Sequence, residues 1–177
     1  MTIRVFLTAL AALSLAACGD TADDTATHAG GHEGMAQPVD AAPAPLPDDG
    51  VTPVVAIAGA WIRPHPQGRD VTAAYFTARL VEGSVDRLTG ARIDGADRIE
   101  LHGHTMNAEG LMQMRPVGPQ DIEAGDTMVF APGGLHLMVF GLAPVVAGDS
   151  VEGVLVFERA GEVPVRFEAT TAAPSTD

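Results

Sequence analysis

Short segments in which apolar and polar residues alternate dominate the chain from about Val51 onward. Val54–Arg63, Ala73–Val81, Arg87–Ile93, Arg98–Thr105 and Leu111–Val117 read as strands, as do Thr127–Phe130, Leu135–Phe140, Ser150–Glu158 and Val163–Thr170. Between them lie Pro64-His65-Pro66-Gln67-Gly68, Glu82-Gly83-Ser84, Asp94-Gly95, Asn107–Gly110, Pro132-Gly133-Gly134 and Ala147-Gly148-Asp149. Every break holds Gly, Pro, Asn or Asp, whose backbone preferences suit tight turns. No helical period and no internal repeat interrupts the series. Eight or nine strands over roughly 120 residues predict one all-β domain, a sandwich or small barrel. Trp61, Tyr75 and Phe76 are expected in its core.

The first 50 residues follow other rules. Met1–Arg4 is a short basic start, and Val5–Ala17 is an apolar run too short to cross a bilayer as a finished helix. Residues 1–17 therefore read as an export leader. Leu15-Ala16-Ala17-Cys18 resembles the lipobox of bacterial lipoproteins, which implies acylation at Cys18. Gly19 is not the aspartate that commonly retains such proteins at the inner membrane, so the resemblance points to an anchor in the outer one. Residues 18–50 hold seven acids and no base, and few large apolar side chains. They read as a disordered tether spanning roughly 30 Å on average. The folded domain is placed at 51–170, with a flexible tail at 171–177.

The formal charge of −13 excludes a basic stripe for nucleic acid. Cys18 is the sole cysteine, so the domain has neither a disulfide nor a thiolate ligand.

Chemistry concentrates between His102 and Met138. That stretch contains His102, His104 and His136 together with Met106, Met112, Met114, Met128 and Met138. Imidazole and thioether are donors that suit Cu(I) better than Mg or Ca. In a strand, His136 and Met138 share a face while Leu137 points the other way. His102/His104 and Met112/Met114 show the same spacing. A three-residue loop ending at Gly110 would set His104 opposite Met114 and Met106 opposite Met112; a two- or four-residue loop would put the arms on opposite faces. Met106, Met112 and Met128 are assigned to packing, since methionine commonly fills gaps, or to supporting positions around the ligands. His65 is taken as a surface residue. The tether's His28, His32 and Met35 form a second, weaker set of candidate donors, and His104 is an accessory candidate.

The order His102, Met114, His136-x-Met138, with both long spacings, resembles the ligand motif of the PCu(A)C periplasmic copper chaperones. Gly103 stands at that family's optional methionine. Ala60-Trp61-Ile62-Arg63, Ala73-Ala74-Tyr75-Phe76, Glu100-Leu101-His102, Met112–Val117, Pro132–Met138 and Gly141-Leu142 look like the family as well. The resemblance implies a cupredoxin-like or immunoglobulin-like Greek-key β-sandwich that is not an enzyme. It also implies one Cu(I) held by His102, Met114, His136 and Met138. It further implies delivery during cytochrome c oxidase assembly, to the CuA site of subunit II or to a thiol chaperone, in the periplasm. A membrane-anchored copper buffer or resistance protein is the alternative. A blue-copper carrier is excluded because its site needs cysteine. A zinc hydrolase is disfavoured because no HExxH pattern occurs.

Overall fold

In the computed structural model, which describes residues 43–66 and 69–174, ten strands follow one another with no helix among the described residues. They are β1 (Val54–Ile62), β2 (Val71–Glu82), β3 (Val85–Ile93), β4 (Arg98–Met106) and β5 (Met112–Pro116). Then come β6 (Gln120–Glu123), β7 (Thr127–Phe130), β8 (His136–Phe140), β9 (Ser150–Phe157) and β10 (Gly161–Ala169). Nine strands match those expected from alternation. The tenth, β6, was not expected: it has a single inward apolar residue, Ile122, and too few positions to show a period. Ile122 is buried nonetheless, and β6 pairs with β3 at the end of the sheet.

Hydrogen bonds connect the strands in the order β5-β4-β8-β2-β1-β10-β9-β3-β6, with β7 paired to β2 alongside β8. The path folds over into two layers. Leu101, Leu137, Val139 and Phe76 from β4, β8 and β2 share one core with Leu88, Leu155, Phe157 and Phe167 from β3, β9 and β10. The expected all-β, cupredoxin-like sandwich is what the chain forms. β1 makes the link, pairing antiparallel with β2 and, at Trp61 and Ile62, parallel with β10. An extra β1 residue between Ala58 and Trp61, with Gly59 at φ 56°, bends the strand from one layer to the other.

Trp61, Tyr75 and Phe76 are all buried, as expected. They divide between the faces of the first layer. Phe76 stacks on Phe130 inside the core, while Tyr75 lies against Trp61 on the opposite side. Met128 is a core residue.

Residues 44–50, which composition assigns to the end of the tether, include Ala44, Asp48 and Asp49, which are hydrogen-bonded to the domain. The Ala44 carbonyl accepts from Arg87, and Asp49 and Asp48 pair with Arg159 at 2.7 and 3.2 Å. The Arg159 guanidinium holds the Asp49 carboxyl well below the usual carboxylate range. Cys18, His28, His32 and Met35 lie outside the described residues.

Candidate metal centre

Register decides which donors share a face. β4 pairs with β5 so that His104 is opposite Met114 and Met106 is opposite Met112. This is the three-residue-loop alternative: Asn107 and Leu111 close the loop, and Gly110 sits at φ 79°. β4 pairs with β8 so that His102 is opposite His136 and Glu100 is opposite Met138. With a period of two, Glu100, His102, His104, Met106, Met112, Met114, His136 and Met138 all lie on one face of β5-β4-β8. The core takes the alternate residues Leu101, Leu137 and Val139. Gly103 is on that inner face too, and a Cβ there would stand 3.1 Å from Leu135 and 3.2 Å from Val117. In this chain the position cannot reach the metal face, and close packing accounts for the glycine.

The two central imidazoles are held and oriented. His136 is 3% exposed. Its Nδ1 lies 3.0 Å from the Gly134 carbonyl; a carbonyl only accepts, so Nδ1 carries the proton and Nε2 presents a bare lone pair. His102 Nε2 lies 2.9 Å from the Glu100 carboxylate, so Nε2–H donates and Nδ1 is bare. Both bare nitrogens are buried and without a hydrogen-bond partner. Buried polar atoms are normally paired, so two orphan lone pairs on neighbouring rings, 5.7 Å apart between centroids, fit a ligand that accepts electron pairs. His104, more exposed, donates from Nδ1 to the Gly133 carbonyl at 2.7 Å and has no contact of this kind with the pair.

The thioethers complete the set from outside. Met138 is half-buried and Met114 is 52% exposed. Met114, Met138 and His136 line a cleft of about 630 Å³ with Tyr75, Arg63 and Arg69. Among the described residues no three His, Cys, Asp or Glu side chains converge as a metal site, and the thioethers are the further donors on this face. The cleft can take a soft monovalent cation with His136, Met114 and Met138 in its lining; His102 does not line it but stands opposite His136 on the same strand face.

Several residues differ from expectation. Met106 and Met112, assigned above to packing or to supporting positions, are 69% and 59% exposed, because the hairpin tip extends beyond the core. His65 is half-buried: its Nδ1 accepts from the Val145 N–H at 3.1 Å. Glu100 and Tyr75 were not read as site residues. The alternation of β4 could have flagged Glu100, which is two residues from His102 and on the same face. Tyr75 contributes a ring whose centroid is 6.4 Å from that of His136.

Two predictions arise here. Outer partners that orient an imidazole are worth about 10–100-fold in metal affinity, so Glu100→Ala should weaken Cu(I) binding by that factor, with Glu100→Gln between it and wild type. Competition against a chromogenic Cu(I) chelator reads this directly. The second concerns pH. Burial, opposed by the Gly134 bond and aided by the charges of His102 and His104, lowers the His136 pKa from 6.5. A base with a depressed folded-state pKa destabilises the fold as pH falls, because the unfolded chain takes the proton first. The metal-free protein should lose stability as pH drops below the ordinary imidazole value, and His136→Gln should flatten that dependence. Thermal melts between about pH 7.5 and 5 test it; equal slopes would contradict it.

The LpqE-like family, whose members are named as lipoproteins, matches residues 55–169. A protein of Leifsonia xyli subsp. xyli, named as lipoprotein Lxx21020, is 33% identical over 113 residues. That match covers 63% of this chain and 66% of the relative, just under two thirds of its length. Among solved structures, the apo form of DR1885 from Deinococcus radiodurans is 26% identical with a TM-score of 0.50, covering 77% of this chain and 95% of that one. The copper-bound PCuAC domain from PmoF2 shares the fold at 22% identity and a TM-score of 0.54, covering 68% of this chain and 93% of its own.

Proposed function

This chain belongs to the LpqE-like lipoprotein family, and we propose that it is an exported Cu(I) carrier, lipid-anchored at Cys18 in the periplasm, that supplies copper for cytochrome c oxidase assembly. One observation supports this above the others: two neighbouring imidazoles, His136 buried and His102 half-buried, each keep a buried nitrogen without a hydrogen-bond partner while the other nitrogen fixes the ring. His102 and His136 would hold the ion from within, Met138 from the side and Met114 from the mouth. The copper-bound PCuAC domain from PmoF2 shares the fold of this chain.

Transfer follows from the gradient of exposure. Met114 is the donor an acceptor meets first, and displacing a neutral thioether requires no proton transfer. A thiolate or imidazole of the acceptor can replace Met114, then Met138, while His102 and His136 keep the ion. The imidazoles leave last, when the acceptor supplies enough donors. Glu100, bonded to His102, places a carboxylate behind a neutral ligand set and offsets the charge of Cu(I) without occupying its coordination sphere.

Carrier and buffer are separated by deletion of the gene at limiting copper. A carrier role predicts an oxidase deficient in CuA, restored by the wild-type chain and not by Met114→Ala. Normal CuA loading in the deletion strain would instead support the buffer reading.

A further inference from the structure

The hairpin joining β4 to β5 presents soft donors that the four-ligand centre does not use. Met106 and Met112 are directly opposite each other and, with Met114, are among the most exposed large apolar residues of the domain. An antiparallel pair sets Cβ atoms about 5 Å apart and diagonal neighbours about 7–8 Å, within reach of long side chains. Met114 is diagonal to Met106 and two residues from Met112 on the same face. Three thioethers, each with three rotatable bonds, can therefore converge above that face.

The tip is also ordered by its own bonds. The Asn107 side-chain oxygen accepts from Leu111 N–H at 2.8 Å and from Glu109 N–H at 3.2 Å, which fixes the register of Met106 and Met112. His104 leans the other way, toward Gly133, and leaves the triangle to sulfur. Core packing does not account for these methionines, since the tip projects past the core.

Resting on the Cu(I) reading of the inner centre, we propose that Met106, Met112 and Met114 form an outer, all-thioether Cu(I) site that receives the ion before it reaches His102 and His136. Met114 belongs to both sites. It is the hinge of the transfer: the ion gains Met138 and the imidazoles as it gives up Met106 and Met112. Three neutral sulfur donors bind more weakly than the inner set, so the ion moves inward down a gradient of affinity. No proton need leave the thioethers, so capture at this tip is insensitive to pH.

The test uses the chain from residue 19 to 177 with His28→Ala, His32→Ala and Met35→Ala, so that the tether offers no donors, and silver nitrate as a redox-inert stand-in for Cu(I). In a His136→Gln background, Ag(I) should shift the methyl resonances of Met106, Met112 and Met114 together. With His136 intact, Met106→Leu plus Met112→Leu should slow Cu(I) loading several-fold and leave equilibrium affinity unchanged. Leucine preserves an apolar tip, so a surface that merely contacts a partner predicts no change. Methyl signals that stay at their metal-free positions, or a loading rate equal to that of the parent, would overturn the proposal. Failure of the inner site shows separately: with His136 intact, one equivalent of metal would leave the His102 and His136 ring signals unmoved.

Discussion

His136→Ala should abolish one-to-one Cu(I) binding while leaving the metal-free fold intact. The substitution removes the most enclosed donor, the one whose lone pair has no other partner. Loss of an outer-shell partner costs at most about 100-fold, so loss of this ligand should cost more. The metal-free domain loses a ring packed near Tyr75 but also loses a buried nitrogen without a hydrogen bond, and these effects oppose each other. Its melting temperature should therefore move little, whereas the stabilisation that wild type gains from excess Cu(I) should vanish, because only a ligand that binds the folded state raises stability. Calorimetric scans with and without Cu(I) measure both. A variant that still gains the wild-type increment would remove His136 from the site.

The second large effect lies at the far side of the sandwich. Asp86 is fully buried, and its carboxylate accepts three backbone N–H bonds: from Arg87 at 2.7 Å, Arg159 at 2.9 Å and Ala160 at 2.9 Å. Two of these close the turn between β9 and β10. Asp86→Ala leaves three donors without their partner, one buried and two part-buried, at about 1–3 kcal/mol for a fully buried group and less for the other two. A total near 3 kcal/mol or more is expected, which lowers the melting temperature by on the order of 10 °C. Cu(I) affinity of the folded fraction should stay unchanged, because no donor of the metal face touches this turn. Chemical denaturation gives the first quantity and chelator competition the second. A loss of affinity without loss of stability would contradict the assignment of Asp86 to the fold.

Much of this architecture could be read from alternation and turn residues. Nine strands follow from short apolar patterns bounded by Gly, Pro, Asn and Asp. β6 escaped because one buried isoleucine in four residues carries no period. The four donors proposed for the centre rest on the resemblance to the PCu(A)C motif; alternation by itself puts only His136 and Met138 of the four on a shared strand face. Pairing was less visible. Whether His104 faces Met114 depends on one residue of loop length, which the sequence left open; the structure has the three-residue loop, with Gly110 at positive φ. The partner of His102 was hidden for a different reason. Glu100 reads as an ordinary surface carboxylate, and the alternation of β4 that sets it on the face of His102 does not by itself show that the two side chains bond. Met106 and Met112 misled in the opposite sense, because methionine usually packs and sequence does not show that a hairpin outruns its core.

His102, His136, Met138 and Met114 are proposed to hold one Cu(I). Anaerobic titration of residues 43–177 with Cu(I) against a chromogenic chelator, followed by X-ray absorption at the copper edge, tests it most directly. Sub-micromolar one-to-one binding with both nitrogen and sulfur scatterers around the ion is expected, with loss of sulfur scattering in Met114→Ala combined with Met138→Ala. Binding that persists with an unchanged coordination shell in that double variant would contradict it.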